Sequence, residues 1–495
     1  MARAAGVLLV AAALLLTCGA AVTPTTTPEA VTGECAAAGA ADFDGDGVGD
    51  AVAGDPFAPS PDGTDAGTGR LFLLRGRPGA PLDPAVTEFD PAAPGWIART
   101  GHVDGDRCLD LVVATPFAYG GAGSAQARGA GVAYVYWGGR DFGRSPARLE
   151  LRAPVARTGA HFGWSLAVAD GMVAVGAPHE DADEVTDSGA VYVYRFTGRV
   201  PGPPQRITQN TPRVPGSGEV GDMFGWSLAL GRIGGAADQT DLVVGAPFED
   251  QDNGQADTGG VTVVYDVSSR PWSYEGAGWN MPAVTADVPS HAGDHFGYSL
   301  AYGEGYLAAG APTADSGGVR DSGAVLLFQR TGSGPRFVRL LRDGPGASGN
   351  AAGERDRFGF SLAFAGPSLL VGAPGESRPG APESGAVHVV PLAGPPGRRM
   401  LAEERPAPYD HFGWSVSGTA DGRILAGAPD RGRLGAVTVA LTSTGPLPPT
   451  GTLTPTGAPT PPAGSVSSGA SRELLPTAAG PAGRDALDFG AGVAG

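Results

Sequence analysis

Residues 294–325 read DHFGYSLAYGEGYLAAGAPTADSGGVRDSGAV. The stretch opens on Phe296-Gly297 and reaches Gly310-Ala311-Pro312 fourteen residues later. After Asp321-Ser322-Gly323 it begins another short apolar run. The same pattern recurs: Phe162-Gly163 with Gly176-Ala177-Pro178, Phe224-Gly225 with Gly245-Ala246-Pro247, Phe358-Gly359 with Gly372-Ala373-Pro374, and Phe412-Gly413 with Gly427-Ala428-Pro429. An internal repeat outranks any single motif as a guide to architecture.

Two degraded copies precede these five. Asp50 stands four residues before Gly54-Asp55-Pro56, and Asp110 four residues before Ala114-Thr115-Pro116. Asp241 has the same offset from Gly245, which places the three aspartates at one structural position. The Gly-Ala-Pro equivalents start at 54, 114, 176, 245, 310, 372 and 427, so about seven units of roughly 60 residues fill 33–442. Each unit has room for four strands. Val191-Tyr192-Val193-Tyr194 shows the period-two alternation of a strand, and helical periodicity is absent. The expectation is an all-β, seven-bladed β-propeller of four-stranded antiparallel blades. The segment 29–36 is expected to close the last blade and so remove an open edge.

Composition agrees. The 495 residues include 82 Gly and 45 Pro, placed between short apolar runs as an all-β chain with many turns requires. Net charge is −17 and every basic residue is Arg, which argues against nucleic acid as a partner. Residues 1–21 have the form of a secretory signal, with Arg3, an apolar Val7–Leu16 run too short to span a bilayer, and small residues at Gly19-Ala20-Ala21. Leu15-Leu16-Thr17-Cys18 approaches a lipoprotein signal, with Thr17 out of pattern. Secretion is therefore expected, with lipid anchoring at Cys18 as the alternative and no transmembrane span. Residues 22–32 form a Thr/Pro-rich linker. Residues 443–495 form a Pro/Gly/Thr-rich tail expected to be disordered. Cleavage leaves Cys35 and Cys108, an even pair in an exported chain, and a disulfide between them is expected.

The paired motifs resemble the FG-GAP repeats of the integrin alpha-subunit propeller, which are found also in bacterial secreted proteins. The resemblance covers roughly 33–442. It implies calcium in loops between first and second strands, and ligands on the opposite face.

The residues carry their own metal signal. Asp42, Asp44, Asp46 and Asp50 occupy positions 1, 3, 5 and 9 of one loop, with Gly47 at the bend and the Val48 carbonyl at position 7. Oxygen donors in that spacing suit Ca²⁺. Without a cation the carboxylates would repel one another. A second loop keeps Asp104, Asp106 and Asp110 but has His102 and Arg107 where the first has Asp42 and Gly47. Imidazole is a poorer ligand for a hard cation, and a relic loop is the competing reading. A third acidic set follows Gly-Ala-Pro: Glu180, Asp181 and Asp183, then Glu249, Asp250 and Asp252, with Asp315 and Glu376. It forms either a solvated acidic surface or a face for a basic partner.

His161, His295 and His411 each precede a Phe-Gly, and Ser165, Ser227, Ser299, Ser361 and Ser415 each lie three residues after a repeat Phe. Repeated positions are structural in the first instance, and no nucleophile elbow, zinc or phosphate-loop motif is present. Trp164, Trp226, Tyr298, Phe360 and Trp414 also share one repeat position. They serve either blade packing or a channel mouth that stacks on a sugar or side chain. The expected function is a calcium-stabilised, extracellular binding or adhesion module, monomeric, with a protein or glycan partner. A lectin using the repeated aromatics and a hydrolase or phospholipase-like enzyme are the alternatives.

Overall fold

Short apolar runs punctuated by Gly, Pro and Asp form strands of two to nine residues in the computed structural model. It describes residues 35, 41–56, 69–76, 87–89, 95–119, 127–142, 148–251, 253–269, 275–284, 290–343, 352–393, 398–419, 422–432, 435–441, 451–452, 472–474 and 492–494. The first repeat provides β1 (Ala51–Asp55), β2 (Arg70–Leu74) and β3 (Thr87–Glu88). Then come β4 (Ile97–Gly101), β5 (Asp110–Thr115), β6 (Val132–Tyr136) and β7 (Arg148–Leu151), which pair in that order as one antiparallel blade. The third repeat has β8 (Ser165–Ala169), β9 (Met172–Ala177) and β10 (Ala190–Thr197). Both β11 (Val200–Pro201) and β12 (Gln205–Ile207) pair with β10.

The next blades are β13 (Ser227–Gly231), β14 (Asp241–Ala246), β15 (Gly260–Val264) and β16 (Gly276–Trp279), then β17 (Ser299–Gly303), β18 (Tyr306–Ala311), β19 (Ala324–Thr331) and β20 (Gly334–Arg342). A four-residue α1 (Met281–Val284) lies between them. The following blade is β21 (Ser361–Ala365), β22 (Ser368–Ala373), β23 (Ala386–Pro391) and β24 (Arg399–Leu401). The last starts with β25 (Ser415–Gly418), β26 (Arg423–Ala428) and β27 (Ala436–Leu441).

The chain after 441 departs from expectation. It supplies β28 (Gly451–Thr452), β29 (Arg472–Leu474) and β30 (Gly492–Ala494). β29 pairs antiparallel with β27 as the fourth strand of the last blade, with β28 parallel beside it. β30 pairs with β1, matching Gly54 to Gly492, and gives the sheet β3-β2-β1-β30.

Six blades therefore carry an innermost strand of their own repeat, where seven were anticipated. The first repeat ends its sheet at β1, and its inner place is taken by the far end of the chain. The innermost strands neighbour one another in the ring order β4, β8, β13, β17, β21, β25 and β30. The outer place beside β27, assigned in sequence to 29–36, is filled by 472–474. Apart from Cys35, that segment lies outside the described residues, as do the signal and linker regions.

The core lies between blades. Phe162, Phe224, Phe296, Phe358 and Phe412 are each fully buried, packed against the second and third strands of adjoining blades. Burying a Phe side chain contributes roughly 1.5–3 kcal/mol, so the repeated Phe is a main source of blade-to-blade cohesion. Among the described residues, no helix is long and apolar enough to cross a membrane.

Removing residues 443–495 tests the closure. A truncated chain that ends at Thr442 should melt well below the full chain and associate in size-exclusion chromatography, because β1 and β27 would each lose a strand partner and leave open edges. Unchanged melting would show that the tail contributes nothing to closure.

Candidate functional sites

The loop joining the first and second strands has one frame in three copies. A buried apolar residue fills its base: Phe43, Val103 or Ile233. A buried aspartate at the start of the second strand then clips the loop. Asp50 accepts hydrogen bonds from Phe43 N (3.1 Å) and Gly76 N (2.8 Å). Asp110 accepts from Val103 N (2.7 Å), Asp104 N (3.2 Å) and Gly138 N (2.9 Å). Asp241 accepts from Ile233 N (2.8 Å), Gly234 N (2.7 Å) and Asp266 N (2.8 Å). Each clip thus joins the loop to the hairpin after the third strand. The shared offset of the three aspartates is a shared structural role.

The first loop adds to this frame. Both oxygens of Asp42 accept backbone N–H groups, from Gly45 (2.8 Å) and Gly47 (2.7 Å). Carboxylate oxygens of Asp42, Asp44 and Asp50 lie within 4.8 Å of one another. One Asp44 oxygen pairs with Arg75, and the other is buried with no hydrogen-bond partner among the described residues. Burial raises Asp42 above the usual carboxylate range and pushes Asp50 up to about 6. Two buried carboxylates and a partly buried one with an orphaned oxygen fit a divalent cation better than they fit the single guanidinium of Arg75. Asp46 is exposed, and its Oδ1 accepts Val48 N (2.8 Å) instead of turning inward.

The second loop is satisfied by the protein itself. Arg199, from the turn after β10, donates to Asp104 (2.9 Å) and lies 3.8 Å from Asp106. His102 Nδ1 lies 3.1 Å from the Cys108 carbonyl, at the position that corresponds to Val48 in the first loop. Burial pushes Asp110 up to about 7. Asp104, Asp106 and Asp110 do not converge as the first loop does. Cys108 pairs with Cys35, Cα to Cα 5.1 Å, so the expected disulfide ties this loop to the segment before the first loop. In the fourth repeat, Asp266 and Ser268 accept Ala236 N and Thr240 N (2.8 Å each).

The acidic set after Gly-Ala-Pro includes two buried acids, and several exposed ones bond the loop before the third strand. Glu180 is buried, accepting from Tyr192 Oη (2.7 Å) and Arg206 Nε (2.8 Å). Glu376 is buried against His388 Nε2 (2.7 Å). Asp181, Asp250 and Asp315 accept the backbone N–H of Asp187, Asp257 and Asp321, closing the loop before the third strand. Asp183 accepts from Thr208 and Arg206, and these partners hold it below the usual range. Asp252 lies outside the described residues.

Sequence reading passed over a second acidic row, two residues before Phe-Gly. Asp222, Asp294, Asp356 and Asp410 each accept the N–H three residues earlier, at 2.5–2.7 Å. The D-x-F-G spacing carries that signal. In two blades these acids approach the Gly-Ala-Pro acids. Burial, with Asp222 adding repulsion, pushes Glu249 up to about 8, and Asp222 itself rises to about 6. Asp356 rises to about 8 beside Asp343 and Glu376. The Asp343, Glu376 and His388 ligand atoms form a second group within 4.8 Å, in which Arg398 bonds Asp343 at 3.0 Å.

At the Phe-Gly end the repeated aromatics touch in sequence around the ring. Centroids are 5.0 Å apart for Trp96 and Trp164, 4.8 Å for Trp164 and Trp226, and 5.5 Å for Trp226 and Tyr298. Tyr298 and Phe360 are 5.3 Å apart, and Phe360 and Trp414 4.8 Å. All six are half-buried. Trp96 was missed in sequence because Gly95-Trp96 lacks the preceding Phe.

A folded-state pKa above the ordinary value means that folding takes up a proton. The contribution of Glu249 to stability is therefore complete below pH 4.5 and is lost as pH rises through about 8. Glu249→Gln should flatten the fall in melting temperature across that window and raise the melting point at its alkaline end. Parallel profiles for the two proteins would contradict the assignment.

Residues 149–194 and 348–390 match the family model described as FG-GAP repeat. The human phosphatidylinositol-glycan-specific phospholipase D is 31% identical over 182 residues, which are 34% of this chain and 20% of that protein. The chain thus matches only a fifth of that relative's length. The Pseudomonas aeruginosa periplasmic gluconolactonase superposes with a TM-score of 0.45 at 14% identity, covering 80% of this chain and 92% of the other.

Proposed function

Taking the chain as what its repeats and blades make it, an FG-GAP repeat β-propeller, we propose that it is an exported binding module that engages an extracellular protein or glycan through its Phe-Gly face. We also infer that the β3-β2-β1-β30 sheet acts as the seventh blade. The observation that carries the binding reading is the row of six half-buried aromatics in mutual contact from Trp96 to Trp414. Their exposed faces offer a stacking surface to a sugar ring or a planar side chain, and rings already packed against neighbours lose little entropy on binding.

A pull-down from cell-surface extracts and a glycan array both check this. Trp164→Ala with Trp414→Ala should abolish capture while leaving the fold intact by circular dichroism. Binding that survives the double substitution would move the site elsewhere. The likeness to a phospholipase D supports an enzymatic alternative over a fifth of that protein's length only. Turnover of ester or phosphodiester substrates, lost on a single substitution, would favour it.

Calcium belongs to this proposal as a structural ion at the first loop. Asp42, Asp44 and Asp50 would hold it, with Arg75 balancing part of the charge. Its contribution would be to fix the loop opposite the binding face. At a hundredfold excess over Kd a bound ion stabilises by about 2.7 kcal/mol. Calcium should therefore raise the melting temperature of the chelated wild type by several degrees and leave Asp44→Asn unmoved. Equal curves for wild type with and without calcium would remove the metal from the account.

A further inference from the structure

Inside the ring of innermost strands lies a cavity of about 250 Å³. At one level of this channel the register places equivalent residues of the six blades whose innermost strand comes from their own repeat. Counted two residues on from the pairing with the Gly-Ala-Pro glycine or its equivalent, the positions are Ala167, Ala229, Ala301, Ala363 and Ser417. In β4 the same position is Arg99, opposite Val112. Five small residues and one long cation share one level of one lumen.

The cation is unbalanced. Arg99 donates one hydrogen bond, from Nη1 to the Ala98 carbonyl at 2.8 Å. Among the described residues no carboxylate pairs with it. Its side chain meets solvent in the lumen while protein surrounds it, and burial lowers its pKa with no acid to offset the shift. The other lining residues are mostly Leu, Ala and Val, with Thr100 and Ser417 as nearby hydroxyls. A guanidinium has five N–H donors in a planar fork that matches two oxygens of one anion.

We propose that the axial channel is an oxyanion site, in which Arg99 grips the carboxylate or phosphate group of a small ligand. The site is distinct from the aromatic face and from the calcium loop. The small residues of the other blades leave the room that the ligand fills. The chain is strongly acidic overall, at −17, so the attraction is local to the lumen and not a property of the whole surface.

The test is thermal melting of the full chain in sodium phosphate, sodium acetate or sodium chloride at matched ionic strength, with Arg99→Ala and Arg99→Lys beside wild type. Wild type should show a saturable rise in melting temperature with phosphate or acetate beyond chloride. Arg99→Ala should lose the whole rise, and Arg99→Lys should show a weaker one. A rise with acetate alone assigns a carboxylate ligand, and a rise with phosphate alone a phosphate ester. Arg99→Ala recreates what four other blades carry, so it should fold and melt no lower than wild type in chloride. Three results would overturn the proposal: no rise in wild type, an equal rise in Arg99→Ala, or a loss of several degrees by Arg99→Ala without added oxyanion.

Discussion

At five joints adjacent blades meet where two glycines touch, and at a sixth Ala114 takes the place of one of them opposite Gly163. A Cβ on Gly310 would sit 2.3 Å from the Gly359 carbonyl oxygen of the next blade. The equivalent distance is 2.1 Å for Gly54, Gly176, Gly245 and Gly372. No side chain survives at such a distance. The serine three residues after Phe seals the same contact: Ser165, Ser227, Ser299 and Ser361 each donate to that carbonyl at 2.6–2.8 Å. The Gly of Phe-Gly, the Gly of Gly-Ala-Pro and the repeated Ser are thus one joint. The Phe beside it fills the gap between sheets.

Function is laid over this frame by substitution within it. The clip aspartate and the apolar base hold the strand-joining loop in all three copies. The first copy adds Asp42 and Asp44. The second carries His102 in place of Asp42 and brings Arg199 onto Asp104. The fourth hands its loop contacts to Asp266 and Ser268. The channel follows the same logic, with one Arg where other blades carry Ala or Ser. Variation on a repeated frame is where chemistry can be added without disturbing the joint.

The repeat period, the strand content and the serines as structural positions were legible because each rests on local spacing. The disulfide was legible from the cysteine count together with the expected export. Closure was not, because it joins residues over four hundred positions apart. A signal was nevertheless present. Phe489-Gly490 lies three residues before Gly492, the same offset that separates each repeat Phe from its strand-starting Ser, and Gly492 pairs with Gly54. Compositional bias in the tail masked it. The burial of Glu180 and Glu376 was hidden for a different reason. Sequence shows that they share a position in the repeat but not that the position points inward, towards Tyr192 and His388.

Equilibrium urea unfolding of Gly310→Ala beside Gly305→Ala tests the joint most directly. Gly305 has φ of +74° in an open turn with nothing within 4 Å of an added Cβ, so only backbone strain of roughly 1–2 kcal/mol is expected there. Gly310→Ala must push two blades apart, and a loss above about 4 kcal/mol, or failure to fold, is expected. Equal losses for the two variants would contradict a ring held together by glycine contacts.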